Sequence, residues 1–468
     1  MFMNLGMGFG IGFGGSAGPA RSNADVLLGN RVNGVAFSFL DNSCAIHDAV
    51  TPANNYSGPP LNKFTFARVS TAMGRDANGL LASYAIDTPV YWYDANLNKR
   101  GLRIEGQATN LSTYSTDLSN PLGWVYSNAT AVKNITGPDG VANSAVKLTE
   151  NTVSSSHTIS DINDTTIVAN APFTVSFWAK LLDDRDVALV VQGGLGIDAI
   201  NCNIALPYAP DDYPGEINTI VQGTATVIRA ILELWKDDWC RITLSGTIND
   251  TTLKTYFYVL KFNQGSYLGN GVSGVGLFGT QIEATNYGTS YIPTPGAASA
   301  TRSHDQVALA ETAMPPASTV ATLYAMGDSG IDVPSSVNNT LFTLQDVTIT
   351  QNTLYITAEL ATNFTSGRCN LVAANVSQAA ITITPVYQSG QSNKYAVTAQ
   401  INNVRGLVNA DTIVQDVTAT FPALDRLRLG STNSTNAQLN GYITEGLYFP
   451  ANSNDQDLAD LTYNPQVT

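Results

Sequence analysis

Short apolar or alternating runs, broken by turn clusters and almost free of helical periodicity, commit most of this chain to β-structure. FTVSFWAKLL (173–182), VALVVQ (187–192), DDWCRITLSGTI (237–248), TLKTYFYVLKF (252–262) and GVGLFGTQIEA (274–284) are examples. In TVSFWAK, Val175, Phe177 and Ala179 share one side, the period-two sign of a half-buried strand. Strands at this spacing imply a sandwich or jelly roll. ATVIRAILELWKDDW (225–239) reads as strand because of its β-branched run. Composition agrees: only 13% of residues are charged, against about 25% in an average soluble protein. Thr, Ser, Asn and Gly take their place, which suits sheet faces and tight turns.

The expected architecture is all-β: tandem jelly-roll β-sandwiches preceded by a Gly-rich N-terminal arm and a small irregular β module. Residues 1–33 form the arm, whose apolar residues Met1, Phe2, Met3, Leu5, Phe9 and Phe13 alternate with glycine and suit packing on a partner. The arm has no basic n-region and is a poor secretion signal. Residues 34–105 form the small module, 106–303 the first sandwich and 304–468 the second. TSYIPTPGAASATRSHD (289–305), with its prolines and small residues, reads as a linker. SNDQDLADLTYN near the end reads as one short helix capped by Ser453 or Asn454.

Twenty-three basic against 37 acidic residues give a net charge of −14. Such a chain repels phosphate backbones, so no nucleic-acid partner is expected. Cys44, Cys202, Cys240 and Cys369 lie far apart with no CxxC, and free buried thiols are expected rather than disulfides or zinc. No stretch has the roughly 18 apolar residues of a membrane span.

From residue 64 onward, FTFARVSTAMGRDANGLL and YWYDANLNKRGLRIEGQATNLSTYSTDLSNPLGW resemble a module common in virion proteins of tailed bacteriophages. Its pattern falls on Phe66, Arg68, Ser70 and Ala72, on Asp76 and Gly79, and on Tyr93, Asp94, Gly101, Leu102, Ile104 and Glu105. It continues through Thr109, Asn110, Leu111, Ser115, Leu118 and Trp124. The family continues into a jelly roll similar to carbohydrate-binding modules. That jelly roll's closing blocks match Gln281 and Glu283, Ser290-Tyr291-Ile292-Pro293-Thr294, and Thr301-Arg302. Asp238-Trp239-Cys240-Arg241 stands where the family has G-W-Y-R, so its cysteine is a departure. The ending, Leu439-Asn440-Gly441-Tyr442-Ile443 and Tyr448-Phe449-Pro450 before a helix, is similar to laminin-G or concanavalin-like sandwiches. The resemblance implies a virion structural protein, a tail fibre or tailspike subunit assembled in the host cytoplasm. Such subunits are commonly trimers, so the resemblance further implies a homotrimer with other virion proteins as partners, and host-surface polysaccharide is the expected ligand. A head-attached fibre or capsid decoration protein, and a polysaccharide depolymerase, are the alternatives.

No catalytic constellation is visible, and the chain is not expected to be an enzyme. His47, His157 and His304 stand in different regions without HExxH spacing, and neither GxSxG nor a P-loop occurs. Asp183, Asp184 and Asp186, or Asp211 and Asp212, could supply the carboxylate pair of a glycosidase, but both clusters read as solvated turns. Glycan binding by exposed aromatic rings is the better expectation. Tyr208 and Tyr213 in the loop PYAPDDYPG are the candidates, while Trp178, Trp235 and Trp239 are expected in the core. No cofactor is expected beyond a structural calcium, for which Glu283 and Asp117 occupy positions used in similar modules.

Overall fold

The computed structural model describes residues 22–31, 33–205, 216–314, 318–328, 339–346, 352–359, 366–383, 392–422, 424–431 and 438–463. It is all-β, with two short helices among the described residues. The arm residues Met1 to Phe13 and the loop carrying Tyr208 and Tyr213 lie outside the described residues.

The first sandwich packs two sheets. One runs, in spatial order, Trp124–Ser127, His157–Asp161, Thr252–Leu260, Asp186–Gly193, Ala199–Ala205 and Glu216–Gln222. The other runs Ala129–Ile135, Ala145–Glu150, Gly274–Glu283, Pro172–Leu181, Trp239–Thr247 and Thr226–Leu234. Val175, Phe177, Ala179, Cys240, Ile242 and Leu244 point between the sheets into one core. The strand Pro172–Leu181 is not half-buried as its alternation suggests. Its other face, Thr174, Ser176 and Trp178, is buried too, because a second aromatic cluster of Trp178, Trp239, Phe278 and Tyr291 lies over it.

The second sandwich corrects the division of the chain. Residues 34–105 do not stand apart as a module; most of their strands complete the sheets of the C-terminal unit, while Ala72–Arg75 and Leu81–Tyr84 pair with each other. Gly34–Ser38 pairs with Gly441–Phe449, placing Val35 opposite Tyr448, and Phe64–Ala67 pairs with Gln306–Leu309. Phe37 and Phe64 accordingly share one core with Val307, Phe342, Leu427 and Ile443. Hydrophobic burial explains this, since short strands with one apolar face need a second sheet to cover them. The hairpin Val90–Tyr93/Lys99–Ile104 extends the same sheet by pairing with Gly441–Phe449. Gly101 permits that approach: a Cβ there would sit 2.2 Å from the carbonyl oxygen of Ile443.

The end of the arm is also structured. Asn23–Leu28 is a helix capped by Ser22, whose hydroxyl accepts the Asp25 N–H, and Ala24 and Leu28 are buried against the second sandwich. Asp455–Thr462 forms the expected C-terminal helix, with Asn454 as its cap.

All four cysteines are free and buried, and burial pushes each thiol up to about 12. The thiolate is the reactive species. We therefore expect native protein at pH 8 to react with a thiol reagent at least roughly 100-fold more slowly than a free cysteine. All four should label once the chain is unfolded; rapid labelling of any one in native protein would contradict the packing.

Candidate functional site

Several of the residues that carry the sequence resemblance, among them Arg68, Glu105, Asn110, Ser290 and Arg302, assemble into buried polar clusters where the two sandwiches meet. Glu105 is the centre of one of them. Its carboxylate accepts the N–H and hydroxyl of Ser290 (2.8 and 2.7 Å) and an Nη2–H of Arg103 (2.8 Å), and lies 3.3 Å from Arg302 Nη1. Burial alone would raise its pKa, but Arg103, Arg302 and the Ser290 hydrogen bonds outweigh that and hold it at about 2. Asp305 accepts the Glu105 N–H (2.9 Å) and pairs with Arg68 (3.2 Å), whose guanidinium also donates to the carbonyls of Ser70, Ala85 and Thr88. Arg302 donates to the Gly106 carbonyl.

Asn110 has both ends satisfied. Its Oδ1 accepts from the Ser112 and Ile282 N–H groups, and its Nδ2 donates to the Thr280 and Ile292 carbonyls. Ser115 and Thr294 exchange hydrogen bonds, and Tyr291 reaches Ser115 through its hydroxyl. The segment expected to be a linker is thus packed over its first half: Ser290, Tyr291, Ile292 and Thr294 are buried. Its prolines and small residues mark an irregular path, but Glu105, Gln281 and Asn110 supply the hydrogen bonds a strand would have given.

The motif residues Asp76 and Asp94 close turns, accepting N–H groups two and four residues further on. Glu283, a calcium candidate, accepts from the Thr289 N–H and hydroxyl and from the Gln281 amide. Asp117, the other, accepts the Ser119 N–H and hydroxyl. The two share no partner, and among the described residues no group of three or more His, Cys, Asp or Glu is arranged to hold a metal.

Beside this network runs a cleft between the sandwiches, with an outer trough of about 420 Å³ and an inner recess of about 50 Å³. One wall is the outer face of two neighbouring strands. Alternation turns Ala230 and Leu232 toward the core and places Arg229, Ile231 and Glu233 on the cleft side. The register sets Glu233 beside Arg241 and Arg229 beside Ser245. The facing wall comes from the hairpin, with Trp92, Tyr93 and Arg103, and from Tyr442. Trp92 lies 5.8 Å from the Tyr442 ring, and the Arg103 guanidinium sits 4.8 Å from the Trp92 ring centroid. Trp92 and Tyr93 are half-buried, leaving ring surface toward the trough. Trp92 and Glu233 line both spaces, which makes them one continuous site.

No family model matches this chain, and no curated protein matches it. Solved structures do. A stretch covering 31% of this chain matches 82% of the carbohydrate-binding module CBM40 of a Ruminococcus gnavus IT-sialidase at 11% identity, with a TM-score of 0.25. Domain 4 of AbnA, a GH43 extracellular arabinanase from Geobacillus stearothermophilus, matches 34% of this chain over 73% of its own length, at 14% identity and a TM-score of 0.24. Domains LG4-5 of the mouse laminin alpha1 chain match 74% of this chain over 88% of their own, at 7% identity and a TM-score of 0.20. Nothing about ligands passes from them to this chain at those scores.

Sequence reasoning placed Trp178 and Trp239 correctly in a core, and Trp235 packs against the same cluster. It missed Trp92, Arg103, Arg229, Glu233 and Arg241 as a group. The alternation in R-A-I-L-E was the available signal for one wall. Asp183 is exposed and paired with Lys147, Asp184 belongs to a turn, and Asp186 opens a strand, so this cluster is not gathered in the cleft. Asp211 and Asp212 lie outside the described residues. The three histidines stay apart: His47 contacts the Arg31 carbonyl, His157 the Asn128 carbonyl and His304 the Gln306 side chain.

Proposed function

We propose that this chain is a non-catalytic subunit of a bacteriophage virion, a tail fibre or tailspike component that binds a host-surface glycan in the cleft between its sandwiches. The observation that carries the binding role is the trough itself: half-buried Trp92 and Tyr93 beside Arg100, Glu233 and Asp94. Sugar rings stack their apolar faces on such aromatics while hydroxyls take hydrogen bonds from neighbouring polar groups. The state of Glu105 supports binding over hydrolysis. A carboxylate held at about 2 and tied to two guanidiniums is a poor general acid at neutral pH.

The virion assignment is supported by the sequence resemblance, several of whose ordered blocks fall on buried polar clusters at the junction. Such clusters explain why a module would keep these residues together: they hydrogen-bond the strands before the first sandwich to the segment that follows it. The homotrimer, the association with other virion proteins and the assembly in the host cytoplasm belong to the same proposal.

Trp92→Ala should weaken glycan affinity at least tenfold, about 1.4 kcal/mol, with the unfolding transition changed far less than by core substitutions. A glycan array followed by calorimetry on the best ligand measures this. Unchanged affinity would remove the cleft as the binding site. Cryo-EM of particles tests the virion assignment: density for this chain on tail or capsid supports it and names the organelle. Its absence from particles would overturn the assignment and call for a polysaccharide-cleavage assay.

A further inference from the structure

We infer that the edge strand Glu216–Gln222 of the first sandwich receives the N-terminal arm of a neighbouring copy as an added β-strand, and that the homotrimer closes through this contact. The inference rests on the homotrimer reading and names its interface.

The acceptor is an edge without the usual protection. The strand pairs with Ala199–Ala205 on one side and with no strand on the other among the described residues. Successive residues point to opposite faces, yet Ile220 is 59% exposed and Val221 48%. A half-buried strand would hide one of them. Sheet edges are commonly blunted by charge, proline or a bulge. The adjoining edge of the other sheet, Thr226–Leu234, has a bulge between Val227 and Arg229 and carries Arg229 and Glu233. Residues 217–222 contain no charge and no proline, and their ladder runs without a bulge. On the core side, Ile217, Thr219 and Val221 stand opposite Ile204, Cys202 and Ile200, all three fully buried. A further strand with apolar residues on that face would continue the buried layer.

The arm has the matching pattern. Leu5, Met7, Phe9, Ile11 and Phe13 follow one another with a single glycine between each pair. As a strand, this run puts every large side chain on one face and none on the other. So much glycine makes a strand weak by itself, and a pre-formed edge supplies the ladder it needs, which is the logic of strand addition. Its period of two sets successive apolar residues level with Ile217, Thr219 and Val221. The two phenylalanines alone bury about 300–500 Å², a large part of the roughly 800 Å² each partner gives to a standard interface.

Symmetry and reach select the occupant. Two identical edges pair about a two-fold axis and give a dimer, whereas an arm-to-edge contact is heterologous and can close as a ring of three. The arm is rooted in the helix Asn23–Leu28, which packs on the second sandwich. The junction between the sandwiches is built on the other sheet of the first one, through Trp178, Trp239 and Arg241. The accepting edge therefore lies in the layer away from the arm's own root. Residues 1–21 span up to about 70 Å when extended, enough to cross to an adjacent copy.

The test uses full-length chains and light scattering during size exclusion. The parent should be a trimer. Phe9→Asp with Phe13→Asp spoils the arm; Val221→Lys, or independently Thr219→Lys at an exposed position, spoils the edge. Each variant should need at least a tenfold higher concentration to assemble while keeping the circular dichroism of the folded chain. Mixed together, the arm variant and the edge variant should associate one to one, because the first retains a sound edge and the second a sound arm. Variants that stay trimeric, or loss in only one of the two kinds, would overturn the inference and leave the homotrimer standing. Failure of the two defective chains to complement each other would overturn it too, since arm and edge would then not meet across copies. A parent that is monomeric at every concentration would sink the homotrimer reading as well.

Discussion

Glu105→Ala should destabilise the protein by about 3–5 kcal/mol, the usual cost of removing one partner from a buried ion pair. The side chain is buried and joins Arg103, Arg302 and Ser290 at once. Its loss takes the paired carboxylate from Arg103 and leaves Arg302 with only the more distant Asp305 at 3.8 Å, and it orphans the N–H of Ser290 in a buried segment. The substitution acts at the point where the segment after the first sandwich crosses the start of it. We therefore expect denaturant unfolding, cooperative in the parent chain, to split or broaden in the variant as the sandwiches lose their common fastening. A loss below 1 kcal/mol with an unchanged transition would show that the network does not hold the junction.

The same residue makes a pH prediction. The ordinary glutamate value of 4.5 falls to about 2 in the folded chain, so the unfolded state binds more protons between those limits. Stability from this group is fully present above about pH 4.5 and lost as pH falls through about 2, a swing of about 3 kcal/mol. Asp305 works in the opposite direction, because burial raises its pKa. The informative quantity is therefore the stability difference between parent and Glu105→Gln. It should be largest near neutrality and shrink steadily from pH 5 to 2. A difference independent of pH would contradict the assigned ion pairs.

The parts of this fold that depend on local pattern were readable in the sequence. The period of two in TVSFWAK put Val175, Phe177 and Ala179 into a core, where they lie. A cap at Ser453 or Asn454 with acids behind it marks a helix in the sequence, and a helix capped by Asn454 stands there. What depends on pairing across the chain was not readable. Val35 meets Tyr448 and Phe64 meets Leu309, and nothing local in residues 34–67 says which distant strands will cover them. A segment with two prolines looked like a linker because its own residues cannot form a ladder. Its hydrogen bonds come from Asn110, Glu105 and Gln281, which lie elsewhere in the sequence. The cleft was half legible for the same reason. Alternation exposes Arg229, Ile231 and Glu233 on one face, but only the tertiary fold brings Trp92 and Arg103 opposite.

Trp178→Ala is expected to cost about 3–5 kcal/mol, the range for truncating a buried aromatic, and to weaken ligand binding as well. The ring is buried at the centre of the outer cluster, edge-on to Trp235, Phe278 and Tyr291 at 5.4–5.8 Å. Each such pair contributes about 0.5–1.5 kcal/mol beyond burial. It is also the platform on which the Arg241 guanidinium rests. Removing it leaves a cavity beneath the recess and frees Arg241 to leave its orientation, so affinity for the trough ligand should fall at least tenfold although Trp178 does not line the cleft. Trp124→Ala provides the control. Trp124 is equally buried but belongs to the core between the sheets, packed on Phe257. It should lose comparable stability while keeping its affinity under conditions where both variants are folded. Equal loss of affinity in the two would mean that the cleft responds to general destabilisation. Loss in Trp178→Ala alone would tie the site to the aromatic cluster beneath it, and thereby to the same junction that Glu105 holds closed.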